Sequence, residues 1–209
     1  MTRPDPQTTY DRIADHFAAT REYPWPEIEE FVDDAPTADV ALDVGCGNGR
    51  HAEVLAQNAD RVVALDVSRG LLQTARRRQA ASGFDAHLVQ GNAAALPIRD
   101  GAVSLAVYVA TLHHLRPRAT RVDSLDELAR VLAPGGRALI GVWSTAHDRF
   151  DADEGFDTTI DWTLPGGEAV PRYYHVYDPD EFDRDLGASA LSVHERFESS
   201  GNCYAVVGA

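Results

Sequence analysis

The 209-residue chain contains no lysine: all 19 of its basic residues are arginine. Acids outnumber them, with 22 Asp among 33 carboxylates and a formal net charge of −14. Strongly hydrated carboxylates keep a surface soluble where salt drives association, and at ~1 M salt the screening length is only ~3 Å, so self-repulsion is muted. The composition is therefore expected of a protein from a salt-rich cell interior. Net negative charge ordinarily speaks against a nucleic-acid partner, but here it reports habitat and leaves the partner open. Cys46 and Cys203 are too few for a disulfide framework and make no zinc site by themselves. The longest apolar runs, such as Val103–Leu112, fall well short of the ~20 residues of a membrane helix. The opening MTRPDPQTTYDR lacks the apolar segment of a secretory signal. Repeats and low-complexity tracts are also missing. What is there, 44% hydrophobic residues and three Trp, suffices for one domain with its own core. A cytoplasmic location, with no membrane partner, is expected.

Three stretches differ in pattern. Residues 8–35 carry two short helical patterns, Tyr10, Ile13, Ala14 and Phe17, then Ile28, Phe31 and Val32 behind Pro26, joined by the proline-stiffened TREYPWP. Residues 38–143 alternate strands and helices: Val40–Val44, a helix around Arg50–Asn58, and Arg61–Leu65 ending at Asp66. A helix capped by Ser68 and stopped by Gly83 follows, then His87–Val89, Val103–Ala110, a helix over Asp123–Leu132 and a strand Arg137–Trp143. Continuous apolar strands separated by helices predict a parallel sheet covered on both faces. Residues 144–209 hold an acidic loop, Asp148–Asp157, the turn Pro165-Gly166-Gly167, and two strand candidates, Leu191–Phe197 and Tyr204–Val207, at hairpin spacing.

Open parallel sheets bind ligands beyond the carboxyl ends of their strands. The first strand runs into Asp43-Val44-Gly45-Cys46-Gly47-Asn48-Gly49, where glycine lets backbone approach a ligand closely. The second ends at Asp66, placed to accept both hydroxyls of a ribose. A pyrophosphate needs G-x-G-x-x-G, but Arg50 stands where that pattern has its third glycine. The shorter G-x-G-x-G turn suits a nucleoside cofactor without phosphates, S-adenosylmethionine, and disfavours a nicotinamide dinucleotide. After the third strand, Gly91-Asn92-Ala93 offers a side-chain amide and a backbone N–H to an adenine edge.

DVGCGNG, Leu65-Asp66, the fourth strand leading to His113-His114 and the ELARVLAPGGRALI run resemble the class I S-adenosylmethionine-dependent methyltransferases. That resemblance implies a Rossmann-like α/β fold, with a mostly parallel seven-stranded sheet, a C-terminal antiparallel hairpin and helices on both faces. It implies one methyltransferase domain over 1–209, made of a helical cap (8–35), a cofactor-binding core (38–143) and a substrate-side insertion with the terminal hairpin (144–209). YDRIADHFAATREYPWPEIEEFV, Leu112–Leu115, Gly141–Trp143, RYYHVY from Arg172 and Gly201–Tyr204 resemble the tRNA wobble-uridine carboxymethyl methyltransferases. These esterify a carboxymethyl group on the first anticodon base and work with a small zinc-ribbon-type activator subunit. A strand added at the short apolar edge His87–Val89 is the expected mode of association, giving a heterodimer. Two positions depart from the family: Asn92 and Ser104 stand where Asp is usual. Asn92 keeps hydrogen-bonding capacity, and Ser104 lies at the far end of its strand.

A carboxylate is already nucleophilic at neutral pH, so catalysis is expected to be positioning and electrostatics, with a guanidinium fork holding the substrate. Arg172, His175 and His113 are the expected catalytic residues. Arg21, Trp25, Tyr173 and Asn202 are the expected substrate contacts, with Trp25 or Tyr173 stacking on the splayed uracil; Trp25 equally suits a core plug of the cap. Cofactor contacts are expected from Asp43, Gly45, Cys46 and Gly47, from Asp66 and Val67, and from Asn92, Ala93 and Val109. No metal is expected, because adjacent histidines point in different directions. Cys46 lacks a base partner, and Arg76-Arg77-Arg78 spreads around a helix as a solvated face. Two rival readings remain: a methyltransferase of a small carboxylate or quinone-like metabolite, and a non-catalytic nucleoside-binding module.

Overall fold

Asp5 accepts the Thr8 backbone N–H at 2.9 Å and Pro6 fills the first helical position, so helix α1 runs Pro6–Ala19. Pro26 opens α2, Pro26–Asp33, in the same way. These elements belong to a computed structural model that describes residues 5–209; the first four residues of the MTRPDPQTTYDR opening lie outside the described residues. The chain continues as β1 (Ala41–Val44), α3 (Arg50–Leu55), β2 (Val62–Asp66), α4 (Arg69–Ser82), β3 (His87–Gln90) and β4 (Val103–Val109). A 3-10 turn at Leu112–His114 leads to α5 (Arg118–Val131) and β5 (Leu132–Trp143). Then come β6 (Phe156–Thr163), β7 (Ala169–Val176), α6 (Pro179–Gly187), β8 (Ser192–Ser199) and β9 (Asn202–Gly208).

Seven strands form one sheet in the order β3-β2-β1-β4-β5-β9-β8, with the topological switch between β1 and β4. β1 to β5 pair in parallel; β9 runs antiparallel to both β5 and β8. This is the Rossmann-like architecture that the alternating pattern and the terminal hairpin predict. Successive β4 residues serve opposite faces. Tyr108 packs in the cluster with Leu125, Leu128 and Phe182 of α5 and α6, while Val107 and Val109 pack with Ile28, Leu55 and their neighbours from α2 and α3. β3 is one sheet edge and is only partly buried. Among the described residues no helix is long and apolar enough to cross a membrane.

Two features depart from the sequence reading. The segment 156–176 forms a separate two-stranded hairpin, with the Pro165-Gly166-Gly167 turn closed by the Leu164 N–H donating to the Glu168 carbonyl at 2.8 Å. β6 alternates polar and apolar side chains, and its aspartates mask the strand pattern. Its half-exposed Asp157 lies in strand β6 and not in the expected loop, accepting from Tyr173 Oη at 2.8 Å and lying 2.9 Å from His175 Nδ1. The second feature is α6, nine residues whose start is set by Asp178 accepting the Glu181 N–H at 2.8 Å. β7 packs against α1 and the 3-10 turn, and Arg12 of α1 pairs with Glu168. The hairpin thus roofs the carboxyl ends of the strands.

Candidate functional site

The carboxyl ends of β1 to β4 converge on a cavity of about 450 Å³, within the ~300–1,000 Å³ usual for small-molecule sites. Gly45, at φ +76°, turns the chain out of β1, and a Cβ there would lie 2.0 Å from Thr111 Oγ1. Gly91 leaves β3 just as closely: a Cβ would meet Leu65 Cδ1 at 2.8 Å. Both positions need glycine because the cavity wall passes directly behind them. Asp66 closes β2 with 7% of its surface exposed. Its Oδ2 accepts the Gly47 N–H at 2.9 Å and its Oδ1 the Ser68 N–H at 2.8 Å. Each oxygen keeps a lone pair for a ligand hydroxyl. Burial pushes the Asp66 carboxyl up to about 6 despite those two donors. Behind the turn, burial and the neighbouring Asp66 push Asp43 up to about 7, and its Oδ2 has no partner among the described residues.

The cofactor candidates therefore divide. Gly45, Gly47, Asp66, Val67, Asn92 and Ala93 line the cavity. Asp43, Cys46 and Val109 are buried beneath it. Asn92 Oδ1 accepts the Ala94 N–H at 2.9 Å. Burial, then the charges of Asp66 and Asp43, push the Cys46 thiol well up, which keeps it from acting as a nucleophile. Arg50, in the place of the third dinucleotide glycine, instead lies over the Trp25 ring at 5.4 Å and donates to the Tyr23 carbonyl at 3.0 Å. A carboxylate with two free lone pairs, a glycine turn without bulk and a side-chain amide fit S-adenosylmethionine.

The far wall includes Tyr10 and Phe17 of the cap, which the sequence offered only as apolar positions of a helix. Tyr10, Phe17 and His114 line the cavity together with Arg116. His114 Nδ1 lies 2.8 Å from the Tyr173 carbonyl, which only accepts, so that nitrogen carries the proton. Its Nε2 therefore accepts from Tyr10 Oη at 2.9 Å. Burial lowers the His114 pKa to about 4 and raises that of Tyr10 well above its ordinary value, so both stay neutral. Asn48 Nδ2 donates to the Arg21 carbonyl at 2.7 Å, and Asp11 accepts from Ser68 Oγ at 2.7 Å and the Gly70 N–H at 2.8 Å. These bonds fasten the cap over the glycine turn. The Ser68 cap was legible in the sequence; these partners, distant along the chain, were not.

Arg172, on β7, shares a narrow recess with Tyr10, His114 and Tyr173. It is 7% exposed, its guanidinium lies 4.8 Å from the Trp162 ring and 5.1 Å from Tyr174, and its Nε has no partner. Among the described residues no carboxylate pairs with it. Arg21 also reaches Trp162, at 5.4 Å, so this β6 indole, missed in the sequence, gathers both candidate arginines. His113 accepts the Trp143 N–H at 3.2 Å through Nδ1 and packs among aromatic rings outside the cavity lining. His175 sits between Asp157 and Glu181, 2.9 Å from each. Tyr173 Oη donates a hydrogen bond to Asp157, and its ring lies under Arg116 at 4.8 Å. Trp25 and Asn202 line a second groove, together with Trp143 and Tyr204.

The family described as "Methyltransferase domain" matches residues 42–140. The chain is 40% identical over 140 residues to a tRNA (carboxymethyluridine(34)-5-O)-methyltransferase of Mus musculus, covering 66% of this chain and 20% of that one. It is 35% identical over 175 residues to a putative methyltransferase of Encephalitozoon cuniculi, covering 80% of this chain and 78% of the other. The first curated relatives it matches are longer, and the chain spans 20% to 58% of their lengths. Among solved structures, a putative methyltransferase in complex with the Haloferax volcanii Trm112 methyltransferase activator superposes with a TM-score of 0.71 at 16% identity, over 98% of this chain and 97% of that one.

Proposed function

The chain belongs to the class I S-adenosylmethionine-dependent methyltransferases, and from that premise we propose that it esterifies the carboxymethyl group of a modified wobble uridine in the anticodon loop of tRNA. The observation that carries this reading is the buried Arg172 guanidinium with no carboxylate beside it, next to the cofactor cavity. A buried cation lacking an anion is costly, and a substrate carboxylate would satisfy it. The tRNA-modifying relatives point to the same chemical group.

The bound cofactor supplies an activated methyl group. Asp66 holds the ribose hydroxyls through its remaining lone pairs, and the Gly45 and Gly47 backbone lets the ligand lie against the turn. Arg172 orients the substrate carboxylate, while Trp162 and Tyr174 fix the guanidinium plane. Phe17 lines the cofactor cavity, and Arg21 packs over its ring and over Trp162. No proton has to leave an attacking carboxylate, so no general base is needed; neutral His114 and Tyr10 serve as a dry, uncharged wall. His175 positions β7 through Asp157 and Glu181, and His113 supports the roof behind Tyr174.

The proposed partner is a zinc-ribbon-type activator adding a strand at the His87–Val89 edge, supported by the open side of β3 and by the fold likeness to a subunit of an activator complex. Transfer of labelled methyl from S-adenosylmethionine to purified tRNA, with and without the activator, tests the reading. Label appearing in small carboxylates and never in tRNA would replace it with metabolite methylation.

A further inference from the structure

The groove beside the cofactor cavity has an unexplained feature. It measures about 380 Å³ and is walled by the indoles of Trp25 and Trp143. Asn202 and Tyr204 also line it, only 7% and 1% exposed, and Asn202 Oδ1 and Tyr204 Oη have no partner among the described residues. The Asn202 amide is not free to turn, because Nδ2 faces the Ser199 and Ser200 carbonyls at 3.4 and 3.3 Å. Its oxygen is therefore a fixed acceptor. Buried polar atoms are rarely left unpaired, so the groove is built for a ligand that donates N–H at the depth of Asn202.

Its place relative to the first site says which ligand. Trp143 stacks on Tyr174 at 4.5 Å with 11° between planes, and Tyr174 lies 4.5 Å from His114, which lines the cofactor cavity. Two consecutive ring contacts thus separate the sites. Arg149 and His147, both exposed, stand at the groove rim. Tyr23, the one exposed large hydrophobic side chain among the described residues at 74%, lies two positions before Trp25.

We propose that this groove is a second base subsite, holding the unstacked nucleobase adjacent to the methylated uridine between Trp25 and Trp143, with a base N–H on Asn202 Oδ1. It rests on the wobble-uridine reading for its choice of RNA. Aromatic platforms with one polar edge are how unstacked bases are read, and stacking tolerates the high salt that weakens phosphate contacts.

The test is fluorescence anisotropy with a labelled single-stranded RNA heptamer carrying a central carboxymethyluridine, and with probes made abasic on either side of it. The proteins are the full chain, Asn202→Ala and Trp25→Leu. One abasic probe is expected to bind the parent about tenfold to a hundredfold more weakly than the intact probe. Each variant should lose the same factor on the intact probe and no longer distinguish the two, the loss being shared rather than additive. The abasic arm needs no variant, so misfolding cannot imitate the result. Equal binding of intact and abasic probes by the parent overturns the proposal, as does discrimination that survives in both variants, or no RNA binding; a groove that takes a protein side chain gives the first of these. Discrimination without methyl transfer to the probe, when S-adenosylmethionine and the activator are added, leaves a base subsite standing and removes the wobble-uridine reading.

Discussion

Asp66→Asn separates the two things the Asp66 carboxylate does. In the folded protein burial raises its pKa from the ordinary 3.8 to about 6, so the folded state prefers the protonated form. The raised value means that its contribution is fully present below about pH 4 and is lost as pH rises through about 6. At about 1.4 kcal/mol per unit, the ionised carboxylate costs the fold about 3 kcal/mol at pH 8. Asparagine removes that cost. It also turns one acceptor into a donor facing the Gly47 or Ser68 N–H, a loss of about 1.5–3 kcal/mol. The two nearly cancel, so urea unfolding at pH 8 should place the variant within about 1 kcal/mol of the parent. Its stability should fall less than the parent's between pH 4 and pH 7. Asp43, relieved of a neighbouring charge, should titrate lower in the variant. Affinity for S-adenosylmethionine has no such cancellation: calorimetry should show a loss of about tenfold to a hundredfold as the ribose loses charge-assisted bonds. Parent-like affinity would falsify the ribose assignment, and a loss of stability above about 4 kcal/mol at pH 8 would refute the account of burial.

Three further outcomes follow from the geometry. Gly45→Ala forces a Cβ onto Thr111 at φ +76°; thermal melts should show a loss of about 2–5 kcal/mol and calorimetry little cofactor binding, and a parent-like variant would disprove the tight turn. Arg172→Ala should leave cofactor affinity intact and lower kcat/KM by about 10- to 100-fold, with Arg172→Lys recovering only part because lysine lacks the stacked planar fork; unchanged turnover removes Arg172 from the site. Because 33 carboxylates face only 19 arginines, the melting temperature should rise steeply between dilute buffer and ~1 M salt as the screening length shortens from ~10 to ~3 Å, and a flat salt response would sink the habitat reading.

What the sequence determined by itself was the sheet and the cofactor end of the site. Apolar strands of period one and capped helices carry local signals. The turn from Asp43 to Gly49, like Asp66, sits where any such sheet must place its ligand, because strand ends and their loops are neighbours along the chain. At the candidate substrate end the sequence offered Arg172 and Arg21, and only the tertiary structure supplied what surrounds them. The β6–β7 hairpin hides behind alternating acids, and its Trp162 acquires meaning only when it meets Arg21 from the cap and Arg172 from its own partner strand. Tyr10 read as one more apolar residue on a helix face until His114, over a hundred positions away, accepted a hydrogen bond from its hydroxyl. Asn202 gained its unpaired oxygen from the groove and not from its neighbours in sequence. Such contacts join segments far apart along the chain, so periodicity, capping and spacing carry no trace of them.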